Sequence, residues 1–234
     1  MSGIKDKVIL VTGASGNLGG AVAERALAAG ARVAATDRAA DALKARFTES
    51  AQIALFPGVE LADAASCADF VTRSAERFGR VDGLVSTVGG FAFANVGDDS
   101  YATWERMLTM NVKTAFHISQ AALPAMRAAG GGSIVLTGAT AALKAPGGVS
   151  AYAASKSGVM RFAESLANEV KGDGIRVNAI MPSIIDTPQN REAMPDADRT
   201  GWVTPEEIAD VMLFLISDAA RAVTGALIPV TGKG

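Results

Sequence analysis

The chain has 234 residues, 49% of them hydrophobic, and its 22 basic and 24 acidic side chains leave a formal charge of −2. That is enough apolar length for a full core, and too little positive charge to hold a phosphate backbone, so no nucleic-acid partner is expected. Cys67 is the only cysteine and His117 the only histidine, which excludes an intrachain disulfide and a cysteine-based metal cluster and leaves a Ser-His triad one possible base.

The first strand is KVILVTG, 7–13, an apolar run that breaks at glycine too early for a signal peptide. A helical pattern follows over 17–29, then the strand ARVAATD (31–37), a helix over 39–47 and the strand IALFPGV (53–59). A helix over 63–78 leads to DGLVSTV (82–88), and one long helix is expected over about 101–129, with His117 as a packed or interface residue. GSIVLTG (132–138), a helix over 151–171, IRVNAIMP (175–182), a helix over 204–217 and ALIPVTG (226–232) complete the chain. The strands are continuously apolar, as strands buried on both faces should be. Strand–helix alternation with short loops specifies an α/β fold: a doubly wound parallel sheet of about seven strands, flanked by helices on both faces. No linker or repeat divides it, so residues 1–234 read as a single domain. No segment approaches the ~20 apolar residues of a membrane span, and a cytoplasmic protein is expected.

VTGASGNLGG joins the first strand to its helix. Glycines at such a turn let backbone approach a ligand, and the helix start offers free N–H groups to phosphate. Asp37 ends the second strand, where a Rossmann-like dinucleotide fold holds the adenosine ribose hydroxyls. Its charge would repel the extra phosphate of NADP, although Arg38 follows it, so NAD is the expected cofactor and NADP the lesser one. Tyr152 and Lys156 lie four apart at the start of the helix after the fifth strand, on one helix face. A nearby ammonium is expected to lower the Tyr152 pKa from about 10 and make it a general acid/base.

On these residues the chain resembles the short-chain dehydrogenase/reductase family nearly end to end. The family turn Thr-Gly-x-x-x-Gly-x-Gly appears as Thr12, Gly13, Ala14, Ser15, Gly16, Asn17, Leu18 and Gly19, with Asn17 in place of the middle glycine. Asn tolerates unusual backbone angles, so the turn is expected to survive. The resemblance implies cofactor contacts at Gly13, Ser15, Gly16, Asn17, Leu18, Gly19, Asp37, Glu60, Leu61, Tyr152, Lys156 and Thr187. Tyr152, Lys156 and Asn111 would be the catalytic residues, with Lys156 also on the nicotinamide ribose and Asn111 holding a proton-relaying water. Ser86, Thr87, Val88 and Gly89 replace the family's Asn-Asn-Ala-Gly, and Ser183 replaces the glycine of its Pro-Gly segment. A homotetramer or homodimer is implied by the same resemblance, and no metal.

The family serine that hydrogen-bonds the substrate is here Ala139. Thr137, Thr140 and Ser150 are the candidate stand-ins. A narrower resemblance, to the dihydropteridine reductases, rests on LTGATAALKAPGG (136–148), DTPQNREAMPDADRTGW (186–202) and VGGFAFAN (88–95). Those enzymes keep Tyr and Lys with Ala at the serine position, and their quinonoid substrate needs no such serine. Ala139, Thr140, Phe91 and Trp202 are the candidate substrate residues, beside Phe93 and Met194, either as an aromatic-lined pocket or as ordinary packing. The sequence therefore reads as an NAD-dependent oxidoreductase acting on a small carbonyl, alcohol or quinonoid compound. Two alternatives stand beside it: a dihydropteridine reductase, and a catalytically weak NAD-binding sensor.

Overall fold

The computed structural model describes residues 3–97 and 100–232. Its seven strands are β1 (Val8–Thr12), β2 (Arg32–Asp37), β3 (Ile53–Pro57), β4 (Gly83–Ser86), β5 (Gly132–Thr137), β6 (Ile175–Pro182) and β7 (Leu227–Val230). All pair in parallel, in the order β3-β2-β1-β4-β5-β6-β7. Strand order reverses between β1 and β4, and the carboxyl ends on either side of that point form the crevice where such sheets bind ligands.

Burial explains the continuous apolar runs. Along β1, Ile9 and Val11 face one core with β2 residues Val33 and Ala35, and Val8 and Leu10 face the other with Ala34. The first core is closed by α1 (Asn17–Ala28), α2 (Ala40–Arg46) and α8 (Pro205–Ile216), through Val22, Ala26, Leu43, Met212 and Ile216. The second is closed by α3 (Ala64–Phe78), α5 (Thr114–Ala128) and α6 (Ser150–Val170), through Phe70, Ile118, Ala122, Val159 and Leu166. Local chemistry sets the ends. Asp63 caps α3, which stops at left-handed Gly79, and Thr204 with Glu207 forms a capping box on α8, whose first residue is Pro205.

Two elements depart from the sequence reading. The single helix expected over 101–129 is α4 (Tyr101–Met107), a wider π-helical turn (Leu108–Lys113) and then α5. A π turn inserts one residue without breaking the apolar stripe, so periodicity does not register it. The segment after β6 holds a short helix, α7 (Pro188–Ala193), and a parallel bridge between Ile185 and Val203 fixes the base of this lid. Among the described residues no helix is long and apolar enough to cross a membrane.

Candidate active site

The glycine turn after β1 is packed backbone to backbone. Gly13 is left-handed (φ 69°), and a Cβ on it would lie 2.7 Å from Thr87 Oγ1. Thr87 Oγ1 donates to the Thr12 carbonyl at 2.7 Å, tying β1 to the loop after β4 and filling the space above the glycines. Asn17 needs no unusual angle: it opens α1 with negative φ, because the turn is made by Gly13 before it. Gly16 gives α1 no side-chain cap, so its first N–H groups remain for an anion. Leu18 is buried under the turn.

Asp37 is held at the tip of β2. Its carboxylate accepts from the Ser15 N–H (3.1 Å), the Ser15 hydroxyl (2.7 Å) and the Ala39 N–H (3.0 Å). A cavity of about 650 Å³ opens beside it, bounded by Gly13, Asp37, Glu60, Leu61 and Gly89. Arg38 Nη1 lies 3.8 Å from Glu60 Oε2, across this end of the cavity. Arg46, which sequence reasoning passed over, donates to the carbonyls of Ser15 and Gly16 and pairs with Glu24, bracing the turn from outside. Its contacts are remote in sequence, and nothing in ADALKARF singles it out.

The cavity lining includes Gly89, which lies against two of the candidate catalytic residues. A Cβ on Gly89 would lie 2.7 Å from Asn111 Oδ1 and 2.9 Å from Lys156 Nζ. Asn111, in the π turn, accepts from the Gly90 N–H (2.8 Å) and donates to the Gly90 carbonyl (3.1 Å) and to Ser155 Oγ (2.8 Å). Ser155 in turn donates to the Tyr152 carbonyl at 2.7 Å. Ser155 is a link the sequence reading missed; its only signal is its place one turn after Tyr152, on the same helix face. Lys156 is buried, and its Nζ donates to the Thr137 carbonyl at 2.9 Å.

Here one expectation is corrected. Burial raises the Tyr152 pKa above its ordinary value, instead of Lys156 lowering it. The desolvation that disfavours a phenolate also disfavours an ammonium, and it brings Lys156 down to about 8. The ammonium is directed at a carbonyl, which leaves burial as the dominant effect on the phenol.

On the substrate side, the Phe91 ring meets the Tyr152 ring edge-on, with centroids 4.9 Å apart. Phe91 is itself 62% exposed, so it forms a wall open to solvent. Phe93 lies over Gly148, where a Cβ would come within 2.1 Å of its ring, and the Ala94 N–H donates to the Gly148 carbonyl. Ala139 is buried. Of its possible stand-ins, Thr137 donates to the Ser86 carbonyl (2.7 Å) and Thr140 to the Pro182 carbonyl (3.2 Å); Ser150 opens α6. Thr187 caps α7 by accepting from the Asn190 N–H. Trp202 is buried at the lid base with Arg199 over its ring, so it packs the lid instead of standing open like Phe91.

The short chain dehydrogenase family model matches residues 7–198. The chain belongs to the short-chain dehydrogenase/reductase family. Among relatives of this short-chain dehydrogenase, D-threitol dehydrogenase of Mycolicibacterium smegmatis is 37% identical, over 97% of this chain and 92% of its own. Levodione reductase of Leifsonia aquatica is 32% identical, over 97% and 93%. A solved short-chain type dehydrogenase/reductase from Mycobacterium ulcerans matches with a TM-score of 0.91 at 28% identity, covering 98% of this chain and 90% of that one. The family works with NAD or NADP, and the uncapped α1 start, the glycine turn and the cavity beside Asp37 fit such a dinucleotide.

Proposed function

We propose that this short-chain dehydrogenase is an NAD(H)-dependent oxidoreductase for a small carbonyl, alcohol or quinonoid substrate, with Tyr152 as general acid/base. The observation that carries the reading is the continuity of the cavity: it runs from Asp37 to Gly89, and Gly89 abuts Asn111 and Lys156. The bound nicotinamide supplies or accepts the hydride. Tyr152 donates or takes the proton at the substrate oxygen, Lys156 holds ribose, and Asn111 keeps α6 and the loop after β4 in register. The fixed Asp37 carboxylate supports NAD over NADP, since Arg38 faces Glu60 and Arg46 is committed to carbonyls and Glu24. The whole chain would work as one cytoplasmic domain, and exposed Trp104, Phe116 and Phe214 support a homotetramer or homodimer.

A second reading, dihydropteridine reductase, is favoured by one observation. The Thr137 and Thr140 hydroxyls near Ala139 both give their protons to backbone carbonyls, so the usual substrate donor is not replaced by them. NADH oxidation against a panel of ketones, quinones and quinonoid dihydropterin separates the two readings. Turnover confined to the pterin selects the second, and turnover of simple ketones removes it. Run with NADPH and with Asp37→Ser, the same panel tests the cofactor: the wild type should prefer NADH, and the variant should lose about tenfold of that preference.

The Lys156 ammonium is present below pH about 8 and lost above it. The kcat/KM for NADH, which reports groups of the free enzyme, should therefore fall as pH rises through about 8. Lys156→Arg should move that limb upward, because a guanidinium keeps its charge. A flat profile across this range in the wild type would remove Lys156 from the role.

A further inference from the structure

Two side chains 172 positions apart meet beside the glycine turn: Asn17 Nδ2 donates to Gln189 Oε1 at 2.8 Å. Asn17 is the first residue of α1, at the glycine turn, and Gln189 is in α7 of the lid. Both ends are anchored. Arg46 holds the turn through the Ser15 and Gly16 carbonyls. On the lid side, Thr187 caps α7, Asn190 Nδ2 donates to the Ile185 carbonyl at 2.8 Å, and Arg191 makes a two-pronged ion pair with Asp186. The bridge thus joins two braced elements, over the α1 start whose N–H groups are left uncapped.

We propose that the Asn17–Gln189 pair is a latch that closes the lid over the dinucleotide groove, so that cofactor uptake and release both wait on its opening. The proposal rests on the reading that the groove takes NADH. A glycine at position 17, as in the family turn, has no side chain to reach Gln189, so the latch belongs to this departure from the family pattern. The contact is a single neutral amide hydrogen bond exposed to water. Its loss should shift the open fraction by about three- to tenfold, the range of one such bond.

A gate has a kinetic signature that a structural contact lacks. A latch that closes the empty and the loaded groove alike, once opened more often, raises association and dissociation together and leaves their ratio, the Kd, nearly fixed. The test is stopped-flow fluorescence of NADH binding to wild type, Asn17→Gly, Gln189→Ala and the double variant. Each single variant should raise both rate constants about three- to tenfold, and the double variant should add nothing further. Gln189→Ala leaves α1 untouched, so agreement between the two single variants excludes a weakened helix start as the cause. Unchanged rate constants, additive effects, or a Kd that moves while association stays fixed would each overturn the latch. Failure of the wild type to bind NADH at all would instead overturn the dinucleotide reading, and the latch with it.

Discussion

Tyr152→Phe is expected to lower kcat by about 10²- to 10⁴-fold while NADH still binds with an affinity close to that of the wild type. The size follows from what a positioned proton donor contributes to a transition state. The separation of effects follows from the geometry. Phe keeps the ring that meets Phe91 edge-on, so the wall of the site persists. The Tyr152 carbonyl, not its hydroxyl, accepts from Ser155, so the chain of contacts from Gly90 through Asn111 to α6 is unaffected. Lys156 is held by the Thr137 carbonyl and does not depend on the phenol. The measurement is steady-state turnover beside NADH titration, with a thermal melt to show that the fold is intact. Undiminished turnover would place the proton donor elsewhere. NADH binding with no Tyr152-dependent turnover of any substrate would select the cofactor sensor.

The raised Tyr152 pKa bears on the same result. Burial keeps the phenol protonated near neutrality, which suits it to give a proton in the reductive direction. The oxidative direction needs the phenolate, which the same burial disfavours. Reduction should therefore be the easier direction for the isolated enzyme at neutral pH.

The sheet was legible because each central strand is apolar on both faces; only a parallel sheet covered twice uses VILVT or GLVS in that way. Asp37, Tyr152 and Lys156 were legible because their spacing from a strand end or from each other carries a physical meaning along the chain. What escaped notice depends on contacts between distant segments. Thr87 over the glycines, Arg46 under the turn and Ser155 on Asn111 are ordinary residues until the fold brings their partners to them. The π turn at Asn111 was hidden because the apolar stripe runs through it. The direction of the Tyr152 shift is set by burial against charge, a balance that spacing alone does not contain. Trp202 reads in the sequence as either a pocket aromatic or a packing residue, and the bridge from Ile185 to Val203 draws it into packing.

The glycine turn yields the second large effect, at Gly19. Gly19→Ala should reduce NADH affinity by about 100-fold or more and lower the stability of the fold by about 1–3 kcal/mol. Helix propensity argues the other way, since Ala is favoured over Gly inside a helix by about 1 kcal/mol. The contacts decide between them. A Cβ at Gly19 would lie 2.2 Å from the Gly13 carbonyl oxygen, 2.6 Å from its carbon and 2.8 Å from Thr87 Oγ1. Two of these are backbone atoms, in a turn that Arg46 and Asp37 hold from other sides, so no flexible side chain can yield. The turn must shift, and with it the N–H groups of α1. Gly16→Ala is the comparison within the same turn: its Cβ would meet only the Gly13 carbonyl oxygen, at 3.3 Å, so its fold should lose less stability than that of Gly19→Ala. NADH titration and thermal melts of both variants make the comparison. Equal melts for the two alanines would mean that close backbone packing at Gly19 does not hold the turn.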